Sequence, residues 1–158
     1  EIVNDDIGNR DLSFAKLNGA YLQGANLQNA KLNGADLYNA NLSQSNLKGA
    51  NLTDADLTAS NLRHACLVDV VINEETKLSD KWRLVWEIVN SKAKKEELRA
   101  TDLKNANLDG ADLREADLRE TDLRWSTLRD TDLRGAIYNE QTRWPKDFDV
   151  QKSGGLIQ

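Results

Sequence analysis

A leucine stands at every fifth position of this chain from Leu12 to Leu67, and again from Leu98 to Leu133. Ile7 and Ile72 extend the first frame, and Tyr138 extends the second. No regular secondary structure repeats every five residues. Five residues of α-helix overshoot a full turn by about 140°, so successive leucines would wander over every face. In a flat strand side chains alternate, and five is odd, so successive leucines would point to opposite sides. Only a backbone that bends once per pentad keeps every leucine on one side. Bends of about a quarter turn close a square coil in four pentads, and coils then stack at the inter-strand spacing of about 4.8 Å. The period therefore predicts an all-β solenoid in which each coil touches only its neighbours.

The other positions agree with that geometry. Two residues before each centre the side chain is small: Ala25, Ala30 and Ala35 in the first block, Ala106, Ala111 and Ala116 in the second. Such a side chain points inward beside a corner, where little else fits. Ser45, Ser60, Thr101, Thr121, Ser126 and Thr131 replace alanine there, because a hydroxyl can bond backbone within a turn. The remaining three positions carry Asn, Asp, Lys, Arg, Gln and Gly and are expected to face water. The tandem A-(D/N)-L-x-x resembles the pentapeptide-repeat family, and the chain is similar to its cyanobacterial members. The resemblance covers most of the sequence and implies a right-handed quadrilateral parallel β-helix.

A longer repeat underlies the pentads. "EIVNDDIGNRDLSFAKL" at 1–17 aligns without a gap on "EIVNSKAKKEELRATDL" at 87–103, and "INEETK" at 72–77 aligns on "YNEQTR" at 138–143. The expected organisation is a first repeat block at 1–74, a helical insertion at 75–95, a second block at 96–141 and a C-terminal capping tail at 142–158. Within 75–95, Ser79 suits a helix N-cap and Asp80 the first turn. Trp82, Val85, Trp86 and Val89 fall at helical spacing, which predicts a helix over about 80–90. In the tail, Trp144 and Phe148 are suited to cover the last coil, whose bare end would expose core and an unpaired strand edge.

Composition limits the functions available. The 158 residues hold 21 Lys and Arg against 26 Asp and Glu, for a net charge of -5. A nucleic-acid groove needs a concentrated basic face, and no such concentration exists. No apolar run approaches the roughly 20 residues that span a membrane. Cys66 is the one cysteine, so no intrachain disulfide forms and the redox compartment stays open. The sequence contains no Met, which agrees with an excerpt or with a removed export signal leading to a periplasm or a thylakoid lumen.

Candidate sites are few. Residues 20 apart should lie one above another, which brings Asp36 to Asp56, Asp102 to Asp122 and Asp112 to Asp132. That spacing superficially suits a carboxylate pair for glycoside chemistry. Arg114, Arg119, Arg124, Arg129 and Arg134 run alongside, however, so a solvated charge ladder is the expected reading. His64 and Cys66 give too few ligands for a structural zinc site. No phosphate loop, GxSxG elbow or HExxH is present. No catalytic residue, metal or cofactor is expected. Trp82 and Trp86 are the candidate partner-binding residues, since aromatics often anchor interfaces. The expected function is a non-enzymatic rigid solenoid that serves as a protein-interaction or structural module with an unknown protein partner. The family resemblance implies one alternative, a DNA-mimic binder of a type II topoisomerase (gyrase). A β-helical carbohydrate enzyme is the least favoured class.

Overall fold

The computed structural model describes residues 7–93 and 95–157, with the side chains of Glu96 and Glu97 left aside. The "EIVN" segment at 1–4 lies outside the described residues. The chain forms two compact units, Glu1–Trp86 and Glu87–Gln158.

In the first unit the pentads build a four-sided coil. Parallel bridges join residues 20 apart, from Asp11 with Lys31 through Asn51 with Val71. Backbone bonds repeat at the same interval. Leu22 N donates to Asn41 O at 2.8 Å, and Asn41 N donates to Ala20 O at 2.9 Å. The leucine side chains fill the interior: Leu27, Leu32, Leu37, Leu42 and Leu47 are fully buried. Each such burial contributes about 1.5–3 kcal/mol. The alanines two before them are buried too, Ala25, Ala30 and Ala35 among them. Leu12 and Leu17, in the first described coil, are half-buried.

The ordinary five-residue corners share one construction. The residue three beyond Leu12 closes a turn, with Ala15 N donating to Leu12 O at 3.1 Å, and this bond recurs pentad after pentad. The residue two beyond each centre takes a positive φ, as at Gly19, Asn29, Gly34, Asp54 and His64. Gly, Asn and Asp are common at these positions because their left-handed conformation costs least. The residue before each leucine explains the Asp/Asn preference of the repeat. Its side-chain oxygen accepts the backbone N–H two residues on, as Asp36 does from Tyr38 at 3.1 Å and Asn61 from Arg63 at 3.2 Å. Such Asx bonds hold the corner shut.

At 71–77 the register changes. Asp56 pairs with Lys77, 21 residues away instead of 20. One extra residue is accommodated between Asn73 and Thr76, and the frame then resumes with buried Thr76 in the small position. Thr76 Oγ1 donates to Leu52 O at 2.9 Å, while Asn73 Oδ1 accepts from Thr76 N at 3.1 Å and Asp54 N at 3.0 Å. The sequence reading leaves residues beyond 74 outside the frame. The structure keeps Thr76 and Lys77 in it, because the threonine hydroxyl satisfies backbone that the wider corner would otherwise strand.

An α-helix, α1, follows at Asp80–Val89. Val85 and Ile88 are buried.

The second unit repeats the design. A 3-10 turn at Lys95–Leu98 leads in, and bridges join Asp102 with Asp122, Asn107 with Thr127 and Asp112 with Asp132. Leu98, Leu103, Leu108, Leu118 and Leu133 are fully buried. The wide corner recurs: Asp122 pairs with Arg143, 21 residues on, and Thr142 Oγ1 donates to Leu118 O at 2.9 Å. Strand β1 (Ile137–Tyr138) then pairs in parallel with β2 (Leu156–Ile157). Trp144 meets the Tyr138 ring edge-on at 5.5 Å and stacks on Phe148 at 5.4 Å. The tail thus adds an aromatic layer and one further strand.

Candidate functional site

The carboxylate columns are stacked as their 20-residue spacing predicts, but each carboxylate is already occupied. Asp112 receives Arg114 Nε at 2.9 Å and Nη2 at 2.8 Å, and Lys95 Nζ at 2.9 Å. Asp117, Asp122 and Asp132 are held in the same two-pronged way by Arg119, Arg124 and Arg134. Bidentate pairing of this kind is the strongest arrangement available to the two groups. The repeated Asp-Leu-Arg triplet produces it, since the corner returns the arginine beside the aspartate two residues earlier. The Arg134 guanidinium holds Asp132 down to about 2, and Arg114, with Lys95, holds Asp112 well below the usual carboxylate range. In the first unit the Lys77 ammonium, with Thr58, holds Asp56 at about 2. A general acid needs the opposite shift. Asp56, Asp112 and Asp132 are therefore fixed anions, each paired with a base.

His64 occupies a positive-φ corner position and Cys66 a bridge opposite Asn46. No group of three or more metal-ligating side chains forms among the described residues. No helix among them is long and apolar enough to cross a membrane.

The two tryptophans of α1 differ in their environments. Trp86 Nε1 donates to Val70 O at 2.7 Å, which pins the ring against the first unit's coil. Trp82 is half-buried, with Lys81 Nζ 5.2 Å from its ring centre. Trp125 is 60% exposed, in a positive-φ corner with the Arg124 guanidinium 5.2 Å from its ring.

One feature escapes a reading focused on charge and aromatic pairs. Residues 17–30, 37–47 and 57–62 contain no Asp, Glu, Lys, Arg or His, in a chain that is 30% charged. The coil lays these stretches over one another: Tyr21 bridges to Asn41, Asn41 to Asn61, and Asn26 to Asn46. The result is an amide-rich column on the first unit, bordered by exposed Arg63 and Asp36. The signal was present in the sequence as charge-free stretches recurring at the coil length.

The family model for pentapeptide repeats matches residues 11–44, 35–73 and 97–135, in eight copies. Solved structures similar to this chain include a pentapeptide repeat protein from Nostoc Pcc 7120, alr5209, at 26% identity over 94% of this chain and 85% of that one (TM-score 0.33). Another, from the cyanobacterium Cyanothece 51142, is 28% identical over 76% of this chain and 64% of that one (TM-score 0.31). QnrB1, a plasmid-mediated fluoroquinolone resistance protein, is 19% identical over 82% and 60% (TM-score 0.21). No curated protein matches in a sequence comparison. At these TM-scores the family assignment rests on the repeat match.

Proposed function

We propose, on the premise that this chain belongs to the pentapeptide repeat family, that it works without catalysis as a rigid interaction or structural module, with Trp82 and Trp86 as its partner-binding residues. The observation that carries this reading is the state of the outward carboxylates. Those nearest to a catalytic arrangement are engaged by arginine, lysine or their own backbone. The right-handed sense of the coil, and the role of α1 as an insertion between two repeat modules, belong to the same proposal. Within α1, Trp86 serves chiefly to seat the helix through its bond to Val70, and Trp82 is the docking side chain.

Affinity capture with the whole chain tests this. Trp82→Ala should lose the partner while melting normally. Trp86→Ala should lower the melting temperature as well, since Val70 O gives up its donor. An unchanged set of captured proteins with Trp82→Ala would defeat the docking role.

The DNA-mimic reading requires a continuous acidic surface, like that of a duplex. Four aspartates of the second unit each carry a bidentate arginine, which cancels much of that field. A gyrase supercoiling assay should accordingly be unaffected by excess protein.

A further inference from the structure

We infer that Asn18 is a site of covalent modification: it deamidates through a cyclic imide in the folded chain, while its sequence twin Asn33 is protected. The tetrapeptide Leu-Asn-Gly-Ala occurs twice, at 17–20 and at 32–35. Asn-Gly suits this reaction because glycine has no side chain to hinder attack by its own nitrogen. Gly19 N gives up its proton to solvent base and bonds to Asn18 Cγ. The side-chain nitrogen then leaves as ammonia, taking a proton back. Water opens the imide at either carbonyl, leaving aspartate or an isoaspartyl link. The local sequence is identical at the two sites, so only the fold distinguishes them.

In part the fold treats them alike. Gly19 and Gly34 both have φ 65°. Their N–H groups donate to Tyr38 O and Thr53 O, each at 2.7 Å, and Ala20 N and Ala35 N close the corners onto Leu17 O and Leu32 O at 3.0 Å. Attack requires the glycine N–H bond to break, so both sites react only through local opening. What differs is cover. Asn33 Oδ1 accepts Ser13 Oγ at 2.8 Å, which ties the amide down. The Phe14 ring lies across Gly34, so close that a β-carbon there would be 2.5 Å from it. Both contacts come from the preceding coil. Asn18 and Gly19 have no such coil beside them among the described residues. Both are exposed, and nothing lies within 4 Å of a β-carbon placed on Gly19. Leu17 is half-buried, whereas Leu32 is fully buried. Asp109-Gly110 can form the same imide and is clamped as Asn33 is: Asp109 Oδ1 accepts Arg129 N at 2.9 Å, and Gly110 N donates to Arg129 O at 2.7 Å.

The product matters to this fold. Either form adds one negative charge to the first coil. The isoaspartyl form also routes the main chain through the former Cβ, so an extra backbone atom enters a corner. The wide corners show what extra length there requires: a threonine hydroxyl turned onto the carbonyl of Leu52 or Leu118. The corner at Gly19 has Ala20 in that position and no hydroxyl to offer. The isoaspartyl form therefore loses the bond from Ala20 N to Leu17 O and loosens the first coil alone. Modification at Asn18 is a slow release of one end of the unit. Trp86 bonds to Val70 in the last coil, so this proposal stands apart from the Trp82 reading.

Ageing the whole chain at mildly alkaline pH, then tryptic digestion and mass spectrometry, tests it. Cleavage after Lys16, Lys31 and Lys48 puts Asn18 and Asn33 in different peptides. Asn18 should convert about tenfold faster than Asn33, the factor that one hydrogen bond contributes to local opening. In strong denaturant the two rates should become equal. Ser13→Ala should speed Asn33 severalfold and so narrow the ratio in the folded chain. Isolated isoaspartyl chain should be cut after Lys16 by brief native proteolysis sooner than unmodified chain. Equal rates in the folded chain overturn the proposal, as does faster conversion at Asn33. So does a ratio that denaturant leaves unchanged, or an Asn18 that keeps its amide in the folded chain while the denatured chain converts.

Discussion

Each ordinary five-residue corner of the coil depends on one residue in the left-handed region. Glycine fills it at Gly19, Gly24, Gly34 and Gly49, but Phe14, Gln44, Ala59, Glu115 and Glu120 fill it elsewhere. A β-carbon there costs on the order of 1 kcal/mol. Ala59 has φ 58° and an exposed side chain, so Ala59→Gly should raise stability by about 1 kcal/mol, read as a higher denaturant midpoint. Gly34→Ala should do the reverse, and more strongly, since its new β-carbon would lie 2.5 Å from the Phe14 ring. The enrichment of Gly, Asn and Asp at this position is visible in the sequence once the frame is set. The Asx bond that explains Asp or Asn before each leucine is visible only as a preference. Its acceptor geometry belongs to the folded corner.

Two elements carry the same device at the same point of the longer repeat. In "INEETK" and "YNEQTR" the coil widens by one residue, and Thr76 or Thr142 turns its hydroxyl onto the carbonyl of Leu52 or Leu118. Both hydroxyls are buried. Thr76→Val and Thr142→Val should each cost about 1–3 kcal/mol by leaving buried carbonyl and amide groups without partners, measured by denaturant unfolding. A loss under 0.5 kcal/mol at both would show that the threonines are incidental to the corner. The similarity of these hexads was legible in the sequence. Whether they end the coil or widen it was not, because one extra residue breaks the five-residue frame either way. The bridges of Asp56 with Lys77 and Asp122 with Arg143 decide it. The tail follows the same rule. Trp144 and Phe148 are evident aromatic candidates for a cap, whereas the pairing of β2 with β1 leaves no repeat signature to read.

Across the molecule, aspartates pair with neighbouring bases, and stability is lost in acid as those pairs are protonated. Asp56 and Asp132 are held at about 2 by Lys77 and Arg134, below the unfolded carboxylate value of about 3.9. A group whose folded pKa is depressed contributes stability fully above its unfolded value and loses it as the pH falls toward the folded one. The melting temperature should therefore hold down to about pH 4 and fall between about pH 4 and pH 2. Asp132→Asn should make that fall shallower. An unchanged profile would show that the pair is too well screened by solvent to matter. The five-residue period alone determined the coil, the leucine column and the alanine corners, because only one backbone path keeps leucines five apart on one side. Tertiary structure alone decided which outward groups meet. Contacts between residues about 20 apart depend on each corner keeping or adding one residue, and a repeat five residues long holds no record of that choice.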